Sequence, residues 1–378
     1  MRFADLPGYA EIKTTLVAMG SSERIPHALL FTGAPGAPVV PLMLGFAQFL
    51  YCQQKGDDDA CGRCHGCQTV EKLVHPDMQL LFPVSGSETD AGGDDAAGER
   101  LLGPFRAFIK AQPFGSVADW AASYGAANRQ PGISVKEVRR LIGNLSLKSY
   151  EGGYKVAIIW LPELMNVSGA NALLKILEEP PEKTLFLLAT YSQDALLATI
   201  LSRVIQIRVR PAEDAEIAKV LEMHGIGQAE ASQAILGAEG SFARALELAR
   251  HEDTGLQPSL LAWMRACFSL NYPTLAQQSE EFAKLGREGQ KWRVSYALSV
   301  FRRLLRHKVH PASGATEEQV ALAKFFDAVA IESIEPAVDQ LEHLYDGVVR
   351  NAAPKLAYLS ASIKLGHALR YPQHMQRA

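Results

Sequence analysis

The chain carries the sequence HALLFTGAPGAPVV at residues 27–40, and this stretch decides the fold class. Residues 27–32 are an apolar run that predicts a short buried strand, residues 33–38 predict a loop, and residues 42–51 predict a helix. Similar apolar runs predict further strands, at 78–82, 155–161, 185–190 and 205–209. Because helical patterns separate these runs, we predict an α/β domain with a mostly parallel sheet.

The chain is long enough for more than one hydrophobic core. It has 378 residues, of which 48% are hydrophobic and 21% are charged, and this composition is typical of a soluble globular protein. After Pro211 only helical patterns remain. We therefore predict three parts: an α/β domain at 1–210, a small helical lid domain at 211–254 and a C-terminal helical bundle at 255–378.

Residues 85–131 are predicted to be an insertion in the α/β domain. Residues 85–100 are rich in Gly, Asp and Ala, a composition that predicts a mobile surface loop. Residues 101–125 regain aromatic side chains, so we expect them to pack back on the domain as short helices. Beyond the insertion, Ser134 followed by Glu137 is a capping box that predicts the start of a helix.

Charge and hydropathy argue against two classes of protein. A net charge of −3 argues against a chain that binds nucleic acid tightly by itself, so any DNA contact should be modest or shared with partners. Apolar runs such as 156–161 are too short to span a membrane. Because residues 1–7 contain no apolar signal core, we expect a cytoplasmic protein.

The loop after the first strand has the place and length of a phosphate-binding loop, but not its chemistry. Such a loop needs backbone N–H groups around the phosphates, a lysine, and a hydroxyl group for magnesium. Gly33 and Gly36 are present. However, Pro38 replaces the second glycine of the pattern, Val39 the lysine and Val40 the hydroxyl residue. The loop is therefore predicted to be degenerate, unless it belongs to an unrelated α/β fold.

The strand at 155–161 has lost a second requirement for nucleotide hydrolysis. A hydrolase needs a carboxylate pair at the end of this strand, to hold magnesium and polarise water. The chain has Trp160 and Leu161 there, and Glu163 is out of register by two or three residues. Two independent losses predict that the chain hydrolyses no ATP.

Four of the five cysteines lie within residues 52–67, which predicts a metal site. Their spacing is C-x8-C-x2-C-x2-C, at Cys52, Cys61, Cys64 and Cys67. Four thiolates can close a tetrahedral zinc site, and Gly62 and Gly66 allow the tight turns. An iron–sulfur cluster is the alternative, although its fourth ligand usually lies downstream rather than upstream. A redox Cys-x2-Cys pair is a weaker alternative.

Several motifs together resemble the clamp-loader subunits of bacterial DNA polymerase III, which are AAA+ proteins. Residues 169–181 have the sequence GANALLKILEEPP and residues 199–203 the sequence TILSR. The sequences LPG at 6–8 and IPHA at 25–28 and the four cysteines also match. These motifs cover the chain to about Pro211, whereas the helical remainder matches only in length and character.

Within this family the motifs are most similar to the delta prime class. A gamma or tau subunit would keep the lysine and the acidic pair, and a delta subunit would lack the cysteines. The chain departs from the family pattern at Val204, where the motif has a cysteine, and in the length of the insertion at 85–131. The implied fold is an AAA+ P-loop-type parallel α/β domain with an inserted zinc module, followed by the helical lid and bundle.

The resemblance implies a role in trans for Arg203, with Ser202 as its partner in the motif. In the family this arginine enters the ATP site of the adjacent subunit and stabilises charge that develops on the γ-phosphate. The alternative is a surface arginine in a salt bridge. ATP is then expected only in the adjacent subunit, and zinc is the only cofactor expected in this chain.

The implied partners are the gamma or tau and delta subunits, joined through the bundle at 255–378. Contacts with the sliding clamp and primer-template DNA are expected through the assembled complex. Two alternatives remain open: a divergent AAA+ ATPase with an unorthodox phosphate loop, and a zinc-dependent module that binds nucleic acid.

Three further features carry no functional role in this interpretation. Thr190 ends a strand where active relatives sense phosphate, and we expect it to be a satisfied strand-end residue. The lid motif at 240–244 has Ala243 where the nucleotide-sensing arginine belongs, with Arg244 displaced by one residue. The basic residues at 302–308 are expected to form a solvated helix face, and a contact with a phosphate backbone or a partner is the alternative.

Overall fold

The computed structural model describes residues 1–22, 24–85, 97–126, 129–250, 256–309, 329–350 and 352–370. The chain divides into two compact units. The first comprises residues 1–220 and 240–243, and the second comprises residues 221–239 and 244–378. This division into two units does not test the predicted lid domain at 211–254 and bundle at 255–378, and both stay predictions.

The first unit is built on a five-stranded sheet in which every pair of neighbouring strands is parallel. The strands are β1 (Ala28–Thr32), β2 (Met78–Leu81), β3 (Lys155–Trp160), β4 (Thr184–Thr190) and β5 (Ile205–Arg208). Their order across the sheet is β2-β3-β4-β1-β5. In register, Leu30 of β1 lies opposite Leu188 of β4 and Gln206 of β5. The prediction of a mostly parallel α/β domain is confirmed.

The central strands are apolar along their whole length because helices cover both faces of the sheet. All residues of β1 and β4 are buried. The helices of this unit are α1 (Ala10–Ser21), α2 (Val39–Tyr51), α3 (His65–Glu71), α4 (Ala97–Arg100), α5 (Leu102–Ala111), α6 (Val117–Ser123), α7 (Val135–Ser146), α8 (Val167–Glu178), α9 (Ala198–Leu201) and α10 (Asp214–Met223), whose last three residues belong to the second unit.

Helices α7 and α8 pack on one face of the sheet. Their apolar residues Val138, Leu141 and Leu173 join Leu30 and Leu188 in one buried core. Helix α2 contacts β1 and β4, and residues 39–49 of this helix are all buried. A helix that is apolar all round is expected only in the interior of a domain.

Two local predictions need correction. The predicted capping box is only half formed: Ser134 Oγ accepts a hydrogen bond from Glu137 N at 3.3 Å. The Glu137 carboxylate instead accepts from Gly98 N at 2.9 Å, because helix α4 of the insertion packs beside it. The helical pattern at residues 195–201 predicts one continuous helix, whereas Leu196 and Leu197 are extended between a 3-10 turn at Gln193–Ala195 and α9.

Of the insertion at 85–131, the structure describes residues 85, 97–126 and 129–131. Its second half forms α5 and α6, so the prediction that it packs back as short helices is confirmed. The predicted mobile loop falls mostly on residues 86–96, which lie outside the described residues.

The second unit is helical throughout its described part. Its helices are α11 (Gln228–Ala238), α12 (Phe242–Arg250), whose first two residues belong to the first unit, α13 (Leu256–Ser269), α14 (Tyr272–Lys284), α15 (Arg287–Val309), α16 (Ile334–Val349) and α17 (Pro354–Arg370). Trp263 of α13 donates a hydrogen bond to Ser362 of α17 at 2.8 Å and stacks on Tyr358. Over the described residues, none of the helices combines the length and the apolar character that a membrane span requires.

Candidate functional site

The degenerate phosphate loop joins β1 to α2, as predicted, and three of its backbone N–H groups are bonded within the chain. Ala37 N donates to Ala34 O and Val39 N to Ala37 O, both at 2.9 Å. Gly33 N donates to Thr190 O at 3.3 Å. An N–H group that is bonded inside the loop is not available to a phosphate oxygen.

Apolar side chains occupy the positions where an active loop carries its cation and its hydroxyl group. Val39 and Val40 begin α2 and are 0% and 4% exposed. Pro38 precedes them and has no backbone N–H to donate. The loop therefore offers no side-chain charge or hydroxyl group for a triphosphate, and Pro38 lacks one of the N–H donors.

A segment of the same unit, residues 240–243, lies directly against this loop. Phe242 N donates to Gly36 O at 3.1 Å. Gly36 has a φ of +83°, and a Cβ placed on it would come within 1.8 Å of Ser241 Oγ. Phe242 is fully buried and stacks on Phe114 of the insertion at 4.8 Å between ring centroids. The chain's own side chains thus occupy the space beside the loop.

The end of β3 is also covered by the insertion. Trp160 stands where a hydrolase needs its carboxylates, and it is 1% exposed. The rings of Phe105 and Phe108 lie 5.6 and 6.0 Å from it, and Trp120 packs on both phenylalanines. Loss of hydration would strongly destabilise an ionised carboxylate inside this aromatic cluster. The aromatic side chains of the insertion therefore pack on the position where the acidic pair is lost.

Glu163 is the carboxylate closest in sequence to the lost pair, and it is held in a structural role. Its Oε1 accepts a hydrogen bond from Tyr191 N at 3.3 Å. Burial raises the pKa of its carboxyl group above the ordinary value. Thr190 is fully buried, and its Oγ1 accepts from Ser192 N at 3.0 Å, the arrangement expected of a satisfied strand-end threonine.

Arg203 follows the short helix α9 and is folded back on its own segment. Its Nη1 donates to Thr199 O at 2.8 Å and to Ser202 Oγ at 3.1 Å. Its Nη2 lies 2.6 Å from Oε1 of Glu178, the last residue of α8. The salt bridge considered as the alternative is therefore present in this chain, and sequence analysis gave no sign that Glu178 is the partner.

The four predicted metal ligands meet at one point. The Sγ atoms of Cys52, Cys61, Cys64 and Cys67 all lie within 4.8 Å of one another. Tetrahedral zinc with bonds of about 2.3 Å places its sulfur ligands about 3.8 Å apart. Cys61 Sγ and Cys67 Sγ are 3.9 Å apart, so this pair already has the required separation.

The backbone around the cysteines is arranged as sulfur ligands require. Cys61 N donates to Cys52 Sγ at 3.2 Å, and Cys64 N donates to Cys61 Sγ at 3.4 Å. Gly62 has a φ of +71°, which favours glycine. A Cβ on Gly66 would lie 2.1 Å from Tyr51 O, so only glycine allows this close approach.

The acidity of the thiols also fits a metal site. Hydrogen bonds from the backbone N–H groups of Arg63 and Cys64 lower the pKa of Cys61 to about 6, which favours the thiolate that binds a metal. Burial and the neighbouring thiols raise the pKa of Cys67, so this sulfur most needs an adjacent cation to become a thiolate. A divalent cation held by all four sulfurs reconciles the two shifts. His65, between the ligands, has a side chain that is 67% exposed.

In the basic run at 302–308, Arg302 is paired within the second unit. Its Nη2 lies 2.8 Å from Glu342 Oε1, and its Nη1 lies 3.5 Å from Glu239 Oε2. The side chains of Arg306 and His307 lie outside the described residues.

Comparison with known proteins shows the family. A family model described as DNA polymerase III, delta subunit, matches residues 8–213, which is more than half of the chain. The chain belongs to this family. The matched region contains the degenerate loop, the four cysteines and Arg203, and the family predicted from the motifs is confirmed.

The most similar relatives include two named DNA polymerase III subunit delta'. The protein from Yersinia pestis is 34% identical over 190 residues, which are 50% of this chain and 43% of that protein. The protein from Escherichia coli K12 is 31% identical over 188 residues, again 50% of this chain and 43% of that protein. The subunit tau/gamma of Haemophilus influenzae is 28% identical over 219 residues, 58% of this chain and 25% of that protein. The chain thus matches less than half the length of each relative.

The cysteine cluster predicts one zinc ion per chain. Cys67→Ser removes a buried ligand and should abolish stoichiometric zinc and lower the melting temperature, because metal binding stabilises only the folded state. Elemental analysis and thermal unfolding measure both effects. Cys267→Ser, at the buried cysteine outside the cluster, is the control and should retain the zinc. A wild-type chain that contains iron, or no metal at all, would contradict this site.

The loop predicts that the isolated chain binds no ATP. With apolar residues at Val39 and Val40 and residues 240–243 against Gly36, titration with a fluorescent ATP analogue and Mg²⁺ should give no saturable signal up to about 1 mM, a free energy of only about −4 kcal/mol. Saturable binding in the micromolar range would show that the segment moves away and that the loop still holds nucleotide.

Proposed function

We propose that the chain is a non-hydrolysing, delta prime-type subunit of the DNA polymerase III clamp loader, which supplies Arg203 to the ATP site of the neighbouring subunit. One observation carries the proposal. The chain keeps an arginine and its serine partner after α9, although its own loop has no cation and its β3 ends in Trp160. Because the chain's own loop lacks the chemistry for a nucleotide, a catalytic role for this arginine must lie at a neighbour's site.

The chemistry of the guanidinium group suits this role. Its planar fork presents several N–H donors that match phosphate oxygens, and it stays charged at any physiological pH. In other nucleotide hydrolases an arginine supplied in trans raises the rate by about 10³–10⁵-fold, because it stabilises charge that develops on the transferred phosphoryl group. Arg203 is 33% exposed, so its side chain lies at the surface where a neighbour could reach it.

The remaining parts of the chain receive supporting roles in this proposal. The four cysteines hold a structural zinc ion between α2 and α3 and take no part in catalysis. The bundle at 255–378 joins the gamma or tau and delta subunits in an open ring. With no nucleotide of its own, the chain acts as a rigid end-piece against which its neighbours move when the complex loads the sliding clamp onto primed DNA.

Arg203→Ala tests the proposal in a clamp loader reassembled from its purified subunits. The adjacent ATP site should lose on the order of 10³-fold in turnover, so total ATPase falls by the share of that site. Steady-state ATPase at saturating ATP measures the effect. Arg208→Ala, at an exposed arginine on β5, is the matched control and should leave turnover unchanged. Full ATPase in an intact complex that carries Arg203→Ala would refute the role.

A further inference from the structure

The resting position of Arg203 raises a question about how it becomes available to a neighbour. Both terminal nitrogens of its guanidinium group are engaged within the chain, Nη1 by Thr199 O and Ser202 Oγ and Nη2 by Glu178. The Thr199 carbonyl is four residues earlier in the sequence, so the side chain is folded back along its own segment. A side chain that reaches into an adjacent subunit must leave at least some of these contacts.

We infer that Glu178 is a positioning residue that competes with the nucleotide phosphate of the neighbouring subunit for the guanidinium group of Arg203. This inference rests on the proposed function. A carboxylate and a phosphate present similar oxygen pairs to the arginine fork, so each can replace the other as its acceptor. Glu178 therefore occupies Nη2, one of the donors that a γ-phosphate would use.

Because the Arg203–Glu178 pair is partly exposed, the exchange of Glu178 for a phosphate costs little free energy. The side chain of Glu178 is 49% exposed and that of Arg203 is 33% exposed. Ion pairs at such positions contribute little, because water solvates each partner well after separation. Glu178 also stands at the C-terminal end of α8, where the helix dipole disfavours a carboxylate. The ion pair with Glu178 thus holds the Arg203 side chain in one position, and its separation costs little free energy.

The competition gives the arginine a preference for ATP over ADP. A terminal γ-phosphate carries more negative charge than one carboxylate and can displace Glu178. When the neighbouring site holds ADP, that charge is absent at the γ position and Arg203 returns to Glu178. Arg203 therefore contacts the neighbouring site when that site holds a γ-phosphate and contacts Glu178 when it does not.

Glu178→Gln in the reassembled complex tests this inference. Glutamine keeps the size and one oxygen acceptor but removes the charge that competes with phosphate. The apparent KM for ATP should fall by about two- to fivefold, the range expected from the loss of a partly exposed ion pair, while kcat stays close to that of the unchanged complex. The Kd for a non-hydrolysable ATP analogue should fall in parallel, and the Kd for ADP should not change.

Two comparisons separate the possible outcomes. Glu182→Gln, at an exposed glutamate four residues along the chain, makes the same charge change away from Arg203 and should leave KM unchanged. Glu178→Gln combined with Arg203→Ala should behave as Arg203→Ala alone, because the two residues act as one unit. If Arg203→Ala lowers turnover but Glu178→Gln leaves KM unchanged or lowers kcat, the competition is overturned and the proposed function stands. If Arg203→Ala itself has no effect, both fail.

Discussion

The carboxyl edge of the parallel sheet is filled with the chain's own apolar side chains, and the other features follow from this constraint. Trp160 and the aromatic rings of the insertion close the end of β3, while residues 240–243 press on the loop after β1. A triphosphate with magnesium brings several charges that an environment of this kind cannot solvate. We therefore expect this domain to serve as a packed scaffold and not as a nucleotide site.

Much of this arrangement could be predicted from the sequence because it depends on local patterns. The strands follow from unbroken apolar runs, and each observed end lies within one or two residues of the prediction. The convergence of the four cysteines followed from their spacing, since thiolates separated by two residues can share a metal in a tight turn. The loss of the lysine at Val39 was equally visible. In each case the determining residues are close together in the sequence.

The contacts that could not be predicted join distant parts of the chain. No local pattern places Phe242 on Gly36 or Phe114 on Phe242, because these pairs are more than a hundred residues apart. Glu178 belongs to the signature at 169–181, but only the tertiary fold brings it to Arg203. The half-formed capping box has the same cause, since Glu137 exchanges its local partner for a helix of the insertion.

Helix α2 connects the two features that distinguish this domain. It begins at Val39, at the end of the degenerate loop, and ends at Tyr51, next to the first cysteine ligand. Its 13 residues span about 20 Å and are almost entirely buried, so the helix is a rigid strut through the centre of the unit. Oxidation of the cysteine sulfurs by peroxide would release one end of this strut. Damage at the cysteine cluster would then disturb the packing of α2 against β1 and β4, at a distance from the sulfur atoms where it began.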